Sequence, residues 1–95
     1  MPGPSESTHE NVAAELDAIA ASIGEGVQAE ALDRRMRLAH DAVLALGREA
    51  NQERAVSIAL LVAALRAGAP PHPGMARQLR DVATELRETA ARGPA

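Results

Sequence analysis

The side chains able to do chemistry are few, and their spacing argues against most catalytic uses. Three histidines, His9, His40 and His72, stand about thirty residues apart. Two histidines share a metal most readily three or four positions apart on a helix, or within H-E-x-x-H, and neither pattern occurs. Cysteine is absent, which removes thiolate metal sites, disulfides and thiol nucleophiles. Glu15–Asp17 and Glu85–Glu88 are paired carboxylates of the kind general acid–base catalysis uses. A carboxyl becomes a general acid near neutral pH only when burial or a like charge raises its pKa, and nothing nearby in sequence desolvates either pair. Ser57 is the single polar residue of the run from Ala55 to Leu65, and a helical serine there is expected to bond back to the carbonyl four residues earlier. No G-x-S-x-G, phosphate-binding loop or G-x-G-x-x-G is present, and Gly24-Glu25-Gly26 reads as a turn. No catalytic residue, metal or cofactor is expected from this inventory.

The arginines are the other chemically capable group. All ten basic residues are arginine and none is lysine, against thirteen acidic residues, for a net charge of −3. Arg34, Arg35 and Arg37 form a cluster, but Glu30, Asp33 and Asp41 interleave with it, and there is no aromatic ring to stack on a base. Because neutralised phosphates supply most nucleic-acid affinity, an acidic balance makes nucleic acid an unexpected partner. A helix-turn-helix can be drawn through Gly47, but its buried position after the turn would fall on Glu53.

Arg77, Arg80 and Arg87 differ from that cluster. At 100° per residue they share an arc with Thr84, beside an apolar face of Met75, Leu79, Val82 and Leu86. One reading makes these three arginines the rim of a partner-binding strip for an acidic, amphipathic protein segment, since arginine is favoured at interfaces. The other lets their stems lie over the core edge while Arg77–Asp81 and Glu88–Arg92 pair along the helix.

Four helical elements must position these residues. Ser7-Thr8-His9-Glu10 fits a capping box, followed by Val12, Leu16, Ile19 and Ile23 at helical spacing and by Gly24 and Gly26 as a stop. A second helix is expected over about 27–46, with Leu32, Met36, Ala39, Val43 and Leu46 on one face, Leu38, Ala42 and Ala45 widening that stripe, and Glu30–Arg34, Asp33–Arg37 and Arg37–Asp41 on its wet side. Gly47 and Asn51 bracket a turn, with Asn51 placed to cap the next helix. That third helix, about 52–67, carries no charge between Ala55 and Leu65, and an all-round apolar helix is expected to sit centrally, with Leu61 in the core. Gly68, Pro70-Pro71 and Pro73-Gly74 end it, and a fourth helix follows over about 75–91, with Met75, Leu79, Val82, Leu86 and Ala90 on one face.

Short turns between four such helices predict an all-α fold, a small antiparallel bundle. A helical hairpin or three-helix unit completed by dimerisation is the alternative. Leu46-Gly47, Ala59 and Pro71 fall at offsets resembling a tetratricopeptide repeat, but Ala50 and Ala63 fill its aromatic positions and two repeats are too few to stand alone. Residues 1–6 read as a disordered lead-in, 7–92 as one helical domain and 93–95 as a tail. Two families of similar length fail on composition: an all-α chorismate mutase uses a lysine in its site, and a WXG protein is defined by a tryptophan turn.

Apolar residues make up 46% of the chain, yet phenylalanine, tyrosine and tryptophan are all missing. A core of aliphatics and alanine is thin, and small helical chains so built often self-associate. The alanine- and arginine-rich, lysine-free composition is the bias of a GC-rich bacterial genome. The first residues, Met1 to Glu6, show neither the positive nor the apolar region of a secretory leader, and the longest apolar run is too short to cross a bilayer, so a cytoplasmic location is expected. The residues thus point to a non-catalytic interaction module, a self-associating accessory protein or regulatory subunit, whose partner is another protein or a second copy of itself. A small DNA-binding regulator and a small helical enzyme with a site formed between subunits are the alternatives from other classes.

Overall fold

The computed structural model describes residues 4–92, and the side-chain environments of residues 9–92. Four helices follow one another: α1 (Pro4–Gly24), α2 (Ala29–Ala45), α3 (Gln52–Arg66) and α4 (Pro73–Arg92). They form a small antiparallel bundle, with no strand among the described residues. The two long helices, α1 and α4, pack along one another, as do the two short ones, α2 and α3. The α1–α2 seam is narrower, and the α3–α4 seam is the thinnest.

Helix ends follow the glycines. After α1, Gly26 at φ +84° is the left-handed residue of a Schellman turn, in which the Gly26 N–H bonds the Ile23 carbonyl (3.2 Å) and the Val27 N–H bonds that of Ser22 (3.1 Å). The same turn closes α3, with Gly68 at φ +103° and the Ala69 N–H bonded to the Ala64 carbonyl at 3.0 Å. In both, the following apolar residue, Val27 or Ala69, packs onto the core, as this turn prefers.

The core is aliphatic throughout. Leu16 and Ile19 of α1, Leu32, Met36 and Val43 of α2, Ile58 of α3, and Met75, Leu79 and Leu86 of α4 are its largest fully buried side chains. The main periodic stripes of α1, α2 and α4 therefore face inward, and Leu61 is buried beside them at 7% exposure, but Leu38 and Ala45, expected to widen the α2 stripe, and Ala90, expected on that of α4, are exposed.

Three local expectations are corrected. Helix α1 starts at Pro4, so Ser7 lies within its opening turns and is not the N-cap residue. Asn51 stands at the start of α3 but makes no capping bond. Its side chain instead donates from Nδ2 to the Gly47 carbonyl (3.1 Å) and accepts at Oδ1 from Arg54 (2.8 Å). It is the only buried polar residue among those described, and it ties the α2–α3 turn together. The third correction concerns α3, which lies at an edge of the bundle: Val56 and Leu60 are 50% and 65% exposed, and Ala59 and Ala63 are exposed between them.

Candidate interaction surface

The arginines sort themselves by where the fold puts them. Each of the four seams is bridged by one. Arg35 reaches Glu15 across α2–α1 (2.7 Å), Arg66 reaches Asp33 across α3–α2 (3.1 Å) and Arg54 reaches Glu85 across α3–α4 (2.9 Å). Arg87 closes α4 onto α1, with Nε and Nη2 on the Glu10 carboxylate (3.1 and 3.2 Å) and Nη1 on Asp17 (2.6 Å). Of the expected pairs along α2, only Asp33–Arg37 forms, at 2.7 Å. Neither Arg77–Asp81 nor Glu88–Arg92 forms on α4.

Two of these bridges perturb titration. Arg87 is held further toward its charged form by its hydrogen bonds to Glu10 and then Asp17. The Asp33 carboxyl is lowered below the ordinary carboxylate value, first by the hydrogen bond from Arg66, and also by that from Arg37, against an opposing desolvation.

The three arginines Arg77, Arg80 and Arg87 thus have different surroundings. Arg77 and Arg80 are exposed on α4 and form no ion pair with a described residue, whereas Arg87 is half-buried in its clasp with α1. The strip they border is also closed, because Met75, Leu79, Val82 and Leu86 are all buried. Arg80 lies instead over the end of α1, beside Ile23, Gly24 and His72.

The open apolar surface is elsewhere, on α3. Val56, Ala59, Leu60 and Ala63 face outward along one side of the helix, and Ala67 continues that side past its end. The α2 flank of this face is a shallow groove walled by Arg37, His40 and Asp41 on α2 and by Ala59, Ala63 and Arg66 on α3. His40 Nδ1 lies 3.0 Å from Asp41 Oδ1. On the α4 flank, Glu53, Arg54 and Ser57 meet Glu85. An uncharged centre with a mixed-charge border is how protein interfaces are built. A second apolar exposure is Leu38 at 65%, in a groove between α1 and α2 with Asn11, Val12, Glu15 and Arg35.

Ser57 and His72, both considered for chemistry, make local hydrogen bonds. Ser57 bonds the Glu53 carbonyl four residues earlier (3.2 Å), as expected of a helical serine. His72 precedes α4 and accepts the Gly74 N–H at Nδ1 (3.1 Å), a capping role that spacing alone did not suggest. Among the described residues no three of His, Asp and Glu gather as a metal-binding group, and no helix is long and apolar enough to cross a membrane. No protein-family model, curated protein or solved structure matches the chain.

Proposed function

We propose that this chain is a non-catalytic interaction module, a self-associating accessory protein or regulatory subunit of a bacterial assembly in the cytoplasm, and that it docks through the outward face of α3. The observation that carries this reading is the exposure of Val56 and Leu60 on a helix that has no charge between Ala55 and Leu65. A helix wet on one side ordinarily carries polar residues there. Here that side holds valine, leucine and alanine, at a cost in solubility that a docked protein would remove. The same face offers no cation to a phosphate along that stretch, which favours a protein partner over DNA.

Tagged wild type and Leu60→Glu, expressed in the native host, test the reading. Wild type should co-purify with itself or another protein at a fixed ratio, and Leu60→Glu should lose that association while keeping its helical circular dichroism. Equal association by both proteins would refute docking at α3.

A further inference from the structure

We infer that the partner seated on the α3 face is an amphipathic helix of another protein, with lysine or arginine along the edge lying over α4. This rests on the reading of α3 as the docking face. Charge supports it first, because the two flanks of that face are unlike. On the α4 flank Arg54 is engaged by Glu85 at 2.9 Å, and Glu53 lines the same cleft. Asp81 and Glu88 stand four and three positions from Glu85, so both share its side of α4. Glu53, Asp81 and Glu88 are exposed, and none forms an ion pair with a described residue. Arg54 thus serves one carboxylate of four, and the next cations on that side of α4, Arg77 and Arg92, lie about two turns away toward either end. The α2 flank is balanced. Arg37 and Arg66 share Asp33 at 2.7 and 3.1 Å, and Asp41 stands beside His40.

Shape specifies a helix. The backbone of α3 is bonded within itself, so a partner meets side chains there and finds no open edge for a strand. Val56 and Leu60 stand one turn apart as raised anchors, and Ala59, Ala63 and Ala67 leave low ground beside them for larger side chains of the partner. Eleven positions separate Val56 from Ala67, about 16 Å along the axis, which is room for roughly three turns of a partner helix.

The acidic flank also selects against other occupants. Nucleic acid and anionic lipid would bring phosphates beside Glu53, Asp81 and Glu88, like charge against like. A basic edge meets the same carboxylates as opposite charges, which steers its approach and fixes which way round the stripe is laid. Each exposed pair contributes up to about fivefold in affinity at low salt, so the three set orientation while Val56 and Leu60 hold the helix.

Two fluorescein-labelled helical peptides of about five turns test it, with the same leucine and alanine stripe and either lysine or glutamate along one edge. In anisotropy titrations with the full chain at about 0.05 M salt, the lysine-edged peptide should bind at least about tenfold more tightly than the glutamate-edged one. The combined variant Glu53→Gln, Asp81→Asn, Glu88→Gln should lose most of that preference with its helical circular dichroism unchanged, as should wild type at about 0.5 M salt. Leu60→Ser, which changes no charge, should weaken binding of the lysine-edged peptide. Equal binding of the two peptides, or a preference that the combined variant keeps, would overturn the basic edge; if Leu60→Ser still weakens them, the docking face stands. Binding that ignores Leu60→Ser would remove both. If neither peptide binds, the inference falls, and loss or retention of a host protein by Leu60→Glu decides the docking face separately. Self-association lost with Leu60→Ser would put a second copy on the face, and binding to phosphatidylglycerol vesicles lost with it would put a membrane there; either would overturn the inference.

Discussion

Leu60 and Leu61 are chain neighbours with opposite surroundings, so truncating each in turn measures where α3 sits. Leu61 is 7% exposed and packed with the core. Leu61→Ala removes three buried carbons, about 2.4 kcal/mol at roughly 0.8 kcal/mol per methylene. A residual cavity adds to this, and the thin α3–α4 seam lets the helix relax partly into it, which sets the expected loss at about 2.5–3.5 kcal/mol. That is a large share of the roughly 5–13 kcal/mol available to a domain of this length. Leu60 is 65% exposed, so only about a third of its side chain leaves water on folding. The same arithmetic gives Leu60→Ala roughly 0.8 kcal/mol, reduced by a few tenths because alanine is the better helix former. With no tryptophan or tyrosine to report unfolding by fluorescence, the assay is urea titration followed by circular dichroism at 222 nm. It should be run below the concentration at which the protein associates, because dimerisation would stabilise the folded state by mass action. Equal losses from the two variants in the monomer would refute an edge position for α3, as would a Leu61→Ala loss below about 1 kcal/mol.

Other perturbations separate structural from exposed arginines and test the turn. Arg77→Gln with Arg80→Gln should leave the fold within about 0.5 kcal/mol per site, whereas adding Arg87→Gln should lower the melting temperature further, more at low salt, since it removes the clasp on Glu10 and Asp17; three equivalent substitutions would contradict the division. Asp33 has a lowered pKa when folded, so its contribution is present above the ordinary value near ~3.9 and is lost as pH falls through the folded value. Wild type should therefore be more stable than Asp33→Asn at pH 7, by a margin that shrinks toward pH 3 in urea titration; a margin that stays constant or grows toward pH 3 would refute the reasoning. Asn51→Ala should cost about 1–3 kcal/mol, because it strips one bond from the Gly47 carbonyl and the oxygen that orients Arg54, and a neutral result would mean the α2–α3 turn holds without it.

Much of the fold is local, and that part was legible in the residues. In α1, α2 and α4 apolar side chains recur at three and four while charges occupy the other side, so each helix has one face that burial can choose. Val12, Leu16, Leu32, Met36, Leu79 and Leu86 are buried for that reason, and Gly26 and Gly68 stop their helices because the closing turn needs a residue at positive φ. The candidate surface was half legible. The uncharged stretch of α3 is plain in the sequence, but a helix apolar all round has no face that its own pattern selects, so its exposed side depends on which neighbours reach it. Long α1 and α4 pair with each other, and α3 is left with α2 and a thin contact to α4. The partners of Arg87 lie seventy or more positions away in sequence, at Glu10 and Asp17, where no i,i+4 rule applies. Arg77, Arg80 and Arg87 look equivalent by helical arc, yet only Arg87 has carboxylates opposite it, because charge pairing across a seam is decided by which helices the fold brings side by side.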